Sequence, residues 1–289
     1  MAKKQQSPAD TAAAPHELPA AGTASAASGQ KPPIALQLYT LRNVKQPPAA
    51  VLEQIAEIGY SGVEMAGTFA PGMPPADLRK LLDAAGLKVV SAHVSLNDME
   101  ADLPGAVRAQ KTLGNDVIII PWVAEEVRGK TADSWKALGA RLGRLAKRCQ
   151  HAGMRFMYHN HDFEMAVIDG KLAIDWLMEG AAEASGGVPV GYEVDMAWVQ
   201  RGGQDVVELV NRYAGRVARV HAKDLAVDPA ANPQEMGFAA VGSGKLDWEK
   251  ILPVAKEAGV EWYVVEHDSP ADAFANIRSS YEFLAGKLG

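Results

Sequence analysis

The sequence has 289 residues, of which 48% are hydrophobic and 22% are charged, enough for one large α/β domain with a substantial core. Lysine and arginine (29) against aspartate and glutamate (35) give a formal net charge of −6, which argues against a nucleic-acid-binding protein. The single cysteine, Cys149, excludes an intrachain disulfide and a thiolate metal cluster, and no apolar run has the length of a transmembrane helix.

The first 33 residues are rich in alanine, proline and serine and contain almost no large apolar side chain. Such a segment buries too little surface to offset the entropy of ordering, so we expect a disordered tail over residues 1–33 and one catalytic domain over residues 34–289. Because Lys3 and Lys4 are not followed by an apolar stretch, the sequence as written predicts a cytoplasmic protein. Removal of an export signal from the chain would instead place it in the periplasm.

From Ile34 onward, short β-rich runs alternate with amphipathic helical segments. In the fourth helical segment, apolar residues step by three and four from Trp135 to Cys149 and so predict one buried face. Glycines suited to a left-handed C-cap end several segments, namely Gly59, Gly86, Gly153 and Gly259. The predicted strands cover residues 35–41, 62–67, 88–96, 116–123, 155–162, 190–199, 217–225 and 262–268.

Eight strand–helix units in about 255 residues match a (β/α)8 TIM barrel in number and length. A doubly wound open sheet is the alternative, but it usually has a glycine-rich phosphate turn after its first strand. The sequence has LQLYTLRN there, which favours the barrel.

Barrel enzymes build their sites at the carboxyl ends of the strands, so polar residues there are candidates for function. Candidates for substrate binding are Gln37, Tyr39, Glu64, Trp122, Glu193, Trp198 and Lys223. Candidates for acid/base catalysis are Glu266, His159, His161 and His93.

Residues two positions apart on a strand share a face, so the polar residues of the last four barrel strands can point at one place. Imidazole and carboxylate groups without thiolate suit one divalent ion, with Mn²⁺ expected first and Mg²⁺, Co²⁺, Fe²⁺ or Zn²⁺ as alternatives. Only one plausible set of four ligands is evident, with one residue from each strand: His159, Asp195, His221 and Glu266.

Three weaker features have a structural and a functional interpretation. The segment Gly242–Lys245 is expected to be a turn into a helix capped by Asp247, with phosphate binding as the alternative. Trp122 and Trp198 either stack on a sugar or close the barrel mouth. Asp224 either holds Lys223 or caps a loop.

The runs LQLYTLR, IAEIGYSGVEMAG, YHNHDFEM, YEVDMAWV, VHAKDL, VGSGKLDW and YVVEHD resemble the sugar phosphate isomerase/epimerase family with the xylose-isomerase-like barrel. The resemblance extends from about Ile34 to the C-terminus. It implies one divalent metal held by a Glu–Asp–His–Glu set, whose last three members fall on Asp195, His221 and Glu266. The first falls on His159, where many members have glutamate. This departure argues against epimerisation by two glutamates unless a histidine fills the second role.

These observations predict a metal-dependent sugar isomerase or epimerase that acts on a ketose or keto-sugar, phosphorylated or not, through an enediolate. Glu266 is the first candidate for the base. The alternative is a lyase, dehydratase or hydrolase of keto-sugars such as 3-keto-glycosides, because the same enolate can expel a β-leaving group. A metal-dependent endonuclease and a non-catalytic carbohydrate-binding barrel are less favoured. The expected partner is a small sugar rather than a nucleic acid or a membrane, and a homo-oligomer is compatible with the sequence.

Overall fold

The computed structural model describes residues 33–289. The predicted tail therefore lies outside the described residues except for Pro33, whose carbonyl oxygen accepts a hydrogen bond from the backbone N–H of Tyr263 at 2.9 Å. This contact joins the start of the described chain to the last barrel strand.

Eight parallel strands close into a barrel in the order β1–β12–β9–β8–β5–β4–β3–β2, which confirms the predicted fold. Two short antiparallel pairs, β6 with β7 and β10 with β11, lie in loops outside the barrel. The strands in chain order are β1 (Ile34–Gln37), β2 (Gly62–Met65), β3 (Lys88–His93), β4 (Val117–Ile120), β5 (Arg155–His159), β6 (Val167–Ile168), β7 (Lys171–Leu172), β8 (Gly191–Asp195), β9 (Val217–Ala222), β10 (Asp224–Leu225), β11 (Phe238–Ala239) and β12 (Trp262–Val265).

Helices follow the barrel strands and pack their apolar faces against the sheet. They are α1 (Pro48–Ile58), α2 (Pro75–Ala85), α3 (Leu96–Thr112), α4 (Ala132–His151), α5 (Ala173–Ser185), α6 (Met196–Arg201), α7 (Val206–Arg212), α8 (Trp248–Glu257) and α9 (Ala273–Leu288). Among the described residues, no helix is both long enough and apolar enough to cross a membrane.

Helix α4 shows how the sequence specifies these elements. A capping box between Thr131 and Ser134 begins the helix, and its predicted apolar face from Trp135 to Cys149 is buried. Its neighbour α5 approaches closely: a Cβ atom added at Gly139 would lie 1.9 Å from the carbonyl oxygen of Leu177. Glycine is therefore required at this crossing.

Each of the eight predicted barrel strands ends two to four residues earlier than expected, and in the two strands with the largest difference the remaining residues are helical. Residues Leu38–Leu41 form a 3-10 turn, and residues 196–199 belong to α6 rather than to a strand. The Asp195 side chain accepts a hydrogen bond from the backbone N–H of Trp198 at 2.9 Å and so begins α6 directly after β8. Trp198 is consequently a buried helical residue and not a strand end.

The glycine-rich segment after β11 folds around one buried carboxylate. Asp224 accepts hydrogen bonds from the backbone N–H groups of Gly242, Gly244 and Leu246 and from the indole of Trp248. Those N–H groups are therefore already used, which confirms the interpretation of this segment as a turn. Asp247 caps α8 as predicted.

At the opposite end of the barrel, Glu261 joins two cations. Arg155 donates two hydrogen bonds to its carboxylate, and Arg219 donates a third at 2.6 Å. Arg219 is almost fully buried and also donates to the carbonyl oxygen of Val90. This ion-pair cluster lies away from the carboxyl ends of the strands.

Candidate metal and active site

Titratable side chains converge at the carboxyl ends of the barrel strands and form two groups of potential metal ligands, with the donor atoms of each group within 4.8 Å of one another. The outer group contains Asp195, His221 and Glu266. The inner group contains His93, His159 and Glu193 together with His221. The sequence predicted one set of four ligands, whereas the structure forms two neighbouring groups that share His221, and the identity of the residues that bind an ion remains a prediction. Glu193 and Asp195 lie two residues apart on β8, so this strand contributes one carboxylate to each of the two groups.

His159 belongs to the inner group and lies beside the outer one. Its Nδ1 is 3.1 Å from Glu193 Oε2, and its Nε2 is 3.9 Å from Asp195 Oδ2. The sheet register explains this position, because His159 pairs with Glu193, whereas Asp195 pairs with His221. The structure thus brings three of the four predicted ligands into one group and places the fourth beside them.

His221 has its two ring nitrogens in different surroundings. Nε2 is 2.7 Å from Glu64 Oε1, while Nδ1 is 3.1 Å from Glu266 Oε2 and 3.7 Å from Asp195 Oδ2. Glu64 is itself held by hydrogen bonds from Gln37 Nε2 (2.6 Å) and from the Ser91 hydroxyl. Burial disfavours the charged form of His221, but Glu193, Glu266 and Glu64 outweigh burial and raise the pKa of His221 well above its usual range, so both ring nitrogens carry protons. A metal ion at Nδ1 would displace that proton, while the Nε2 proton would stay donated to Glu64.

The outer group fits a divalent cation. Asp195 Oδ2 is buried and accepts no hydrogen bond, although Lys223 Nζ lies 3.4 Å from it, so a lone pair of this oxygen is available to a metal ion. Two carboxylates and one imidazole supply oxygen and nitrogen donors of the kind that bind Mn²⁺, Mg²⁺, Co²⁺, Fe²⁺ and Zn²⁺. The structure therefore contains a group of residues able to hold a metal ion.

Lys223 is a buried cation beside the outer group. Its Nζ lies 2.9 Å from Glu266 Oε2 and 3.4 Å from Asp195 Oδ2, and it also contacts the carboxylate of Asp268. Burial favours the neutral form of Glu266, but Lys223 and His221 overcome this effect and hold the pKa of Glu266 well below its usual range. Glu266 is accordingly ionised and already hydrogen-bonded.

His159 and His161 are uncharged imidazoles at neutral pH. Burial, reinforced by repulsion from His221 and His93, lowers the pKa of His159 well below its usual range. Burial and the Lys223 cation lower the pKa of His161 to about 4, and its Nδ1 is buried without a hydrogen-bond partner. Both rings can therefore accept a proton.

His93, unlike His159 and His161, is positively charged at neutral pH. Burial disfavours its charged form, but Glu64 and Glu193 outweigh burial and raise the pKa of His93 to about 9. Its Nε2 is 2.8 Å from Glu193 Oε2 and 3.0 Å from Glu64 Oε1. Burial and repulsion from Glu64 raise the pKa of Glu193 to about 7. His93 is thus a cation able to donate a proton.

A cleft opens onto this cluster, and the predicted site residues divide between its wall and the interior behind it. Tyr39 and Trp122 line the cleft, as do His93, His159, His161 and Glu266. Trp122 is 48% exposed. The other residues predicted to bind substrate lie in the buried interior and outside the cleft wall, and their roles remain predictions: Gln37, Glu64, Glu193, Trp198 and Lys223.

Two residues of this region were not predicted from the sequence. Asp268 lines the cleft and contacts Lys223, and Ser91 donates its hydroxyl hydrogen to Glu64. Each lies two positions from a predicted site residue, Glu266 and His93 respectively, so the alternation of faces along a strand was the signal that pointed to both.

Comparisons with known proteins agree with this architecture. The family described as "Xylose isomerase-like TIM barrel" matches residues 52–287. The inosose dehydratase of Lacticaseibacillus casei is 25% identical over 255 residues, which cover 77% of this chain and 83% of that protein.

Two solved structures share the fold. A sugar phosphate isomerase/epimerase from Parabacteroides distasonis has a TM-score of 0.74 and 22% identity, covering 93% of this chain and 98% of that chain. The IolI protein with a bound zinc atom has a TM-score of 0.71 and 16% identity, covering 90% of this chain and 99% of that chain.

Proposed function

This chain belongs to the xylose isomerase-like TIM barrel family, and from that premise we propose that it is a metal-dependent lyase that eliminates a β-leaving group from a keto-sugar or keto-cyclitol. The observation that carries the proposal is the composition of the cleft wall. Among the described residues, Glu266 is the one glutamate that lines the cleft. An epimerase with two glutamates needs one on each face of its substrate. An elimination instead needs an uncharged base that removes one proton and a protonated acid that supplies another.

Asp195, His221 and Glu266 are the proposed ligands of one divalent ion, with His159 as a candidate for the fourth position. The bound ion would supply Lewis-acid stabilisation for the negative charge that develops on the substrate's carbonyl oxygen. Mn²⁺ is the first choice, and the neighbour with bound zinc shows that this fold can hold a different divalent metal.

The histidines supply the proton transfers. His161, uncharged and in the cleft wall, removes the proton from the carbon next to the carbonyl. His159, also uncharged and in the cleft wall, takes this role only if it does not ligate the metal. The electron pair of that C–H bond forms a C=C bond as the adjacent carbon loses its substituent. The leaving group departs with its bonding pair and receives a proton from His93. Glu266 is assigned to metal binding rather than to base catalysis, because its Oε2 already accepts from Lys223.

The name of the curated relative supports elimination over isomerisation. Inosose dehydratase is the name of a keto-compound lyase, and the matched region covers most of both chains. The isomerase and epimerase interpretation has less support, because it rests on the family resemblance and on structures with less than 25% identity.

The test uses metal-loaded protein with a panel of an inosose, a 3-keto-glycoside and free ketoses, followed by NMR in deuterated water. We expect an unsaturated ketone and a released leaving group. His161→Gln should lower turnover about 10²–10⁴-fold if His161 is the base. His151→Gln, at an exposed position of α4, is the matched control. Formation of an epimer or isomer without elimination would refute the lyase assignment.

A further inference from the structure

The cleft extends well beyond the reacting groups. Its volume is about 750 Å³, within the range of about 300–1,000 Å³ that is typical of sites for drug-sized ligands. One part of its wall carries the candidate catalytic residues His159, His161 and Glu266. Another part is formed by the loop between β2 and α2, over residues 66–74, which contributes apolar side chains. A lone sugar ring would leave much of this wall uncovered.

The loop over residues 66–74 is built to present those side chains. Two successive turns are closed by backbone hydrogen bonds, from Phe69 to Ala66 and from Met73 to Ala70. Ala70 has φ +49°, a left-handed conformation that is uncommon for alanine. Phe69 and Met73 remain only partly buried and line the cleft. The turns therefore hold the Phe69 ring and the Met73 thioether at the surface of the cleft.

A second wall leads from the reacting groups to the mouth. His161 stacks on Phe163 with ring centroids 5.7 Å apart, and the guanidinium of Arg128 lies 3.5 Å from the Phe163 centroid and 5.2 Å from that of Trp122. The Arg128 Nε donates to the carbonyl oxygen of Val123, which fixes this arrangement. Trp122 is thereby held at the mouth, although 48% exposed. Trp122 lines the same cleft as Phe69 and Met73, and aromatic and apolar side chains in a cleft are typical of small-molecule sites.

We propose that the apolar walls of the cleft, which include Phe69, Met73 and Trp122, bind a planar apolar leaving group, so that the substrate is a keto-glycoside with an aromatic aglycone rather than a free keto-sugar. This inference rests on the proposed elimination. The base takes the proton from the carbon next to the carbonyl, the C–O bond to the aglycone breaks, and the aglycone leaves as its hydroxyl form after protonation. The sugar becomes an unsaturated ketone, and no oxidant or reductant is consumed.

The test measures binding and turnover separately. Calorimetry compares phenyl β-glucoside with methyl β-glucoside, neither of which has the ketone needed for elimination. We expect the phenyl compound to bind at least 10-fold more tightly to the wild type. Phe69→Ala and Met73→Ala should each reduce this preference about 3- to 10-fold, as expected for loss of one aromatic or thioether contact. Val227→Ala, at an exposed valine outside the cleft wall, is the control.

Equal affinity for the two glucosides would overturn the aglycone site, whatever the enzyme does to keto-sugars. An unchanged preference in both loop variants would overturn it as well. Turnover of 3-keto derivatives of the two glucosides then tests the lyase itself. If neither is eliminated while the phenyl preference persists and depends on Phe69 and Met73, the lyase assignment fails and the aromatic site stands.

Discussion

Glu64→Gln tests whether Glu64 orients His221 for metal binding. The carboxylate of Glu64 has two oxygens that face four potential donors: Gln37 Nε2, the Ser91 hydroxyl, His93 Nε2 and His221 Nε2. A glutamine offers one oxygen and places an NH₂ group against a donor. The substitution should therefore release the Nε2 proton of His221 from its acceptor and weaken the preference of Nδ1 for the outer group.

Loss of a carboxylate behind a metal-binding histidine typically costs about 10- to 100-fold in metal affinity, or about 1.4–2.8 kcal/mol. We expect a rise of this size in the dissociation constant for Mn²⁺, measured by calorimetry on protein whose folding is verified by circular dichroism. Glu261→Gln is the control, because it weakens a partly buried ion-pair cluster at the other end of the barrel without touching His221.

An unchanged Mn²⁺ affinity in folded Glu64→Gln would refute the proposed role of Glu64. A similar loss in both variants would also refute it, because general destabilisation would then explain the result. If Glu64→Gln does not fold, Ser91→Ala removes one hydrogen bond to the same carboxylate and should still lower the affinity in a measurable way.

Three further predictions concern the metal ligands, the buried cysteine and the N-terminal segment. Asp195→Asn and Glu266→Gln should each lower metal occupancy measured by elemental analysis, since each removes an anionic donor, and full occupancy in both would contradict the ligand assignment. Cys149 should resist a thiol reagent in the native protein and react only after denaturation, because burial raises its pKa to about 12; rapid labelling of the folded chain would contradict this. Deleting residues 1–32 should change the melting temperature and turnover little, because that segment has few apolar side chains, and a large fall in either would show that it packs on the barrel.

Local patterns in the sequence were sufficient to predict the barrel and the end of it at which the candidate residues lie. Strand–helix alternation and helix ends at glycine are local signals, and the four glycines predicted as C-caps all have positive φ in the structure. Alternation along a strand also placed Asp195, His221 and Glu266 at one end of the barrel. Helix ends and the alternation of side chains along a strand depend on the local backbone conformation, which residues close together in the sequence determine.

The contacts between potential metal ligands depend instead on how the strands pair and close around the barrel. The register between strands places His159 level with Glu193 rather than with Asp195, and no local pattern encodes that offset. Closure of the barrel brings Glu64 from β2 behind His221 of β9, 157 residues away in the chain. The helix start at Asp195 was also missed, because YEVDMAWV has the apolar content of a strand while the carboxylate caps α6. Local sequence thus sets each element, whereas the closure of the barrel sets the distances between side chains on which metal binding and catalysis depend.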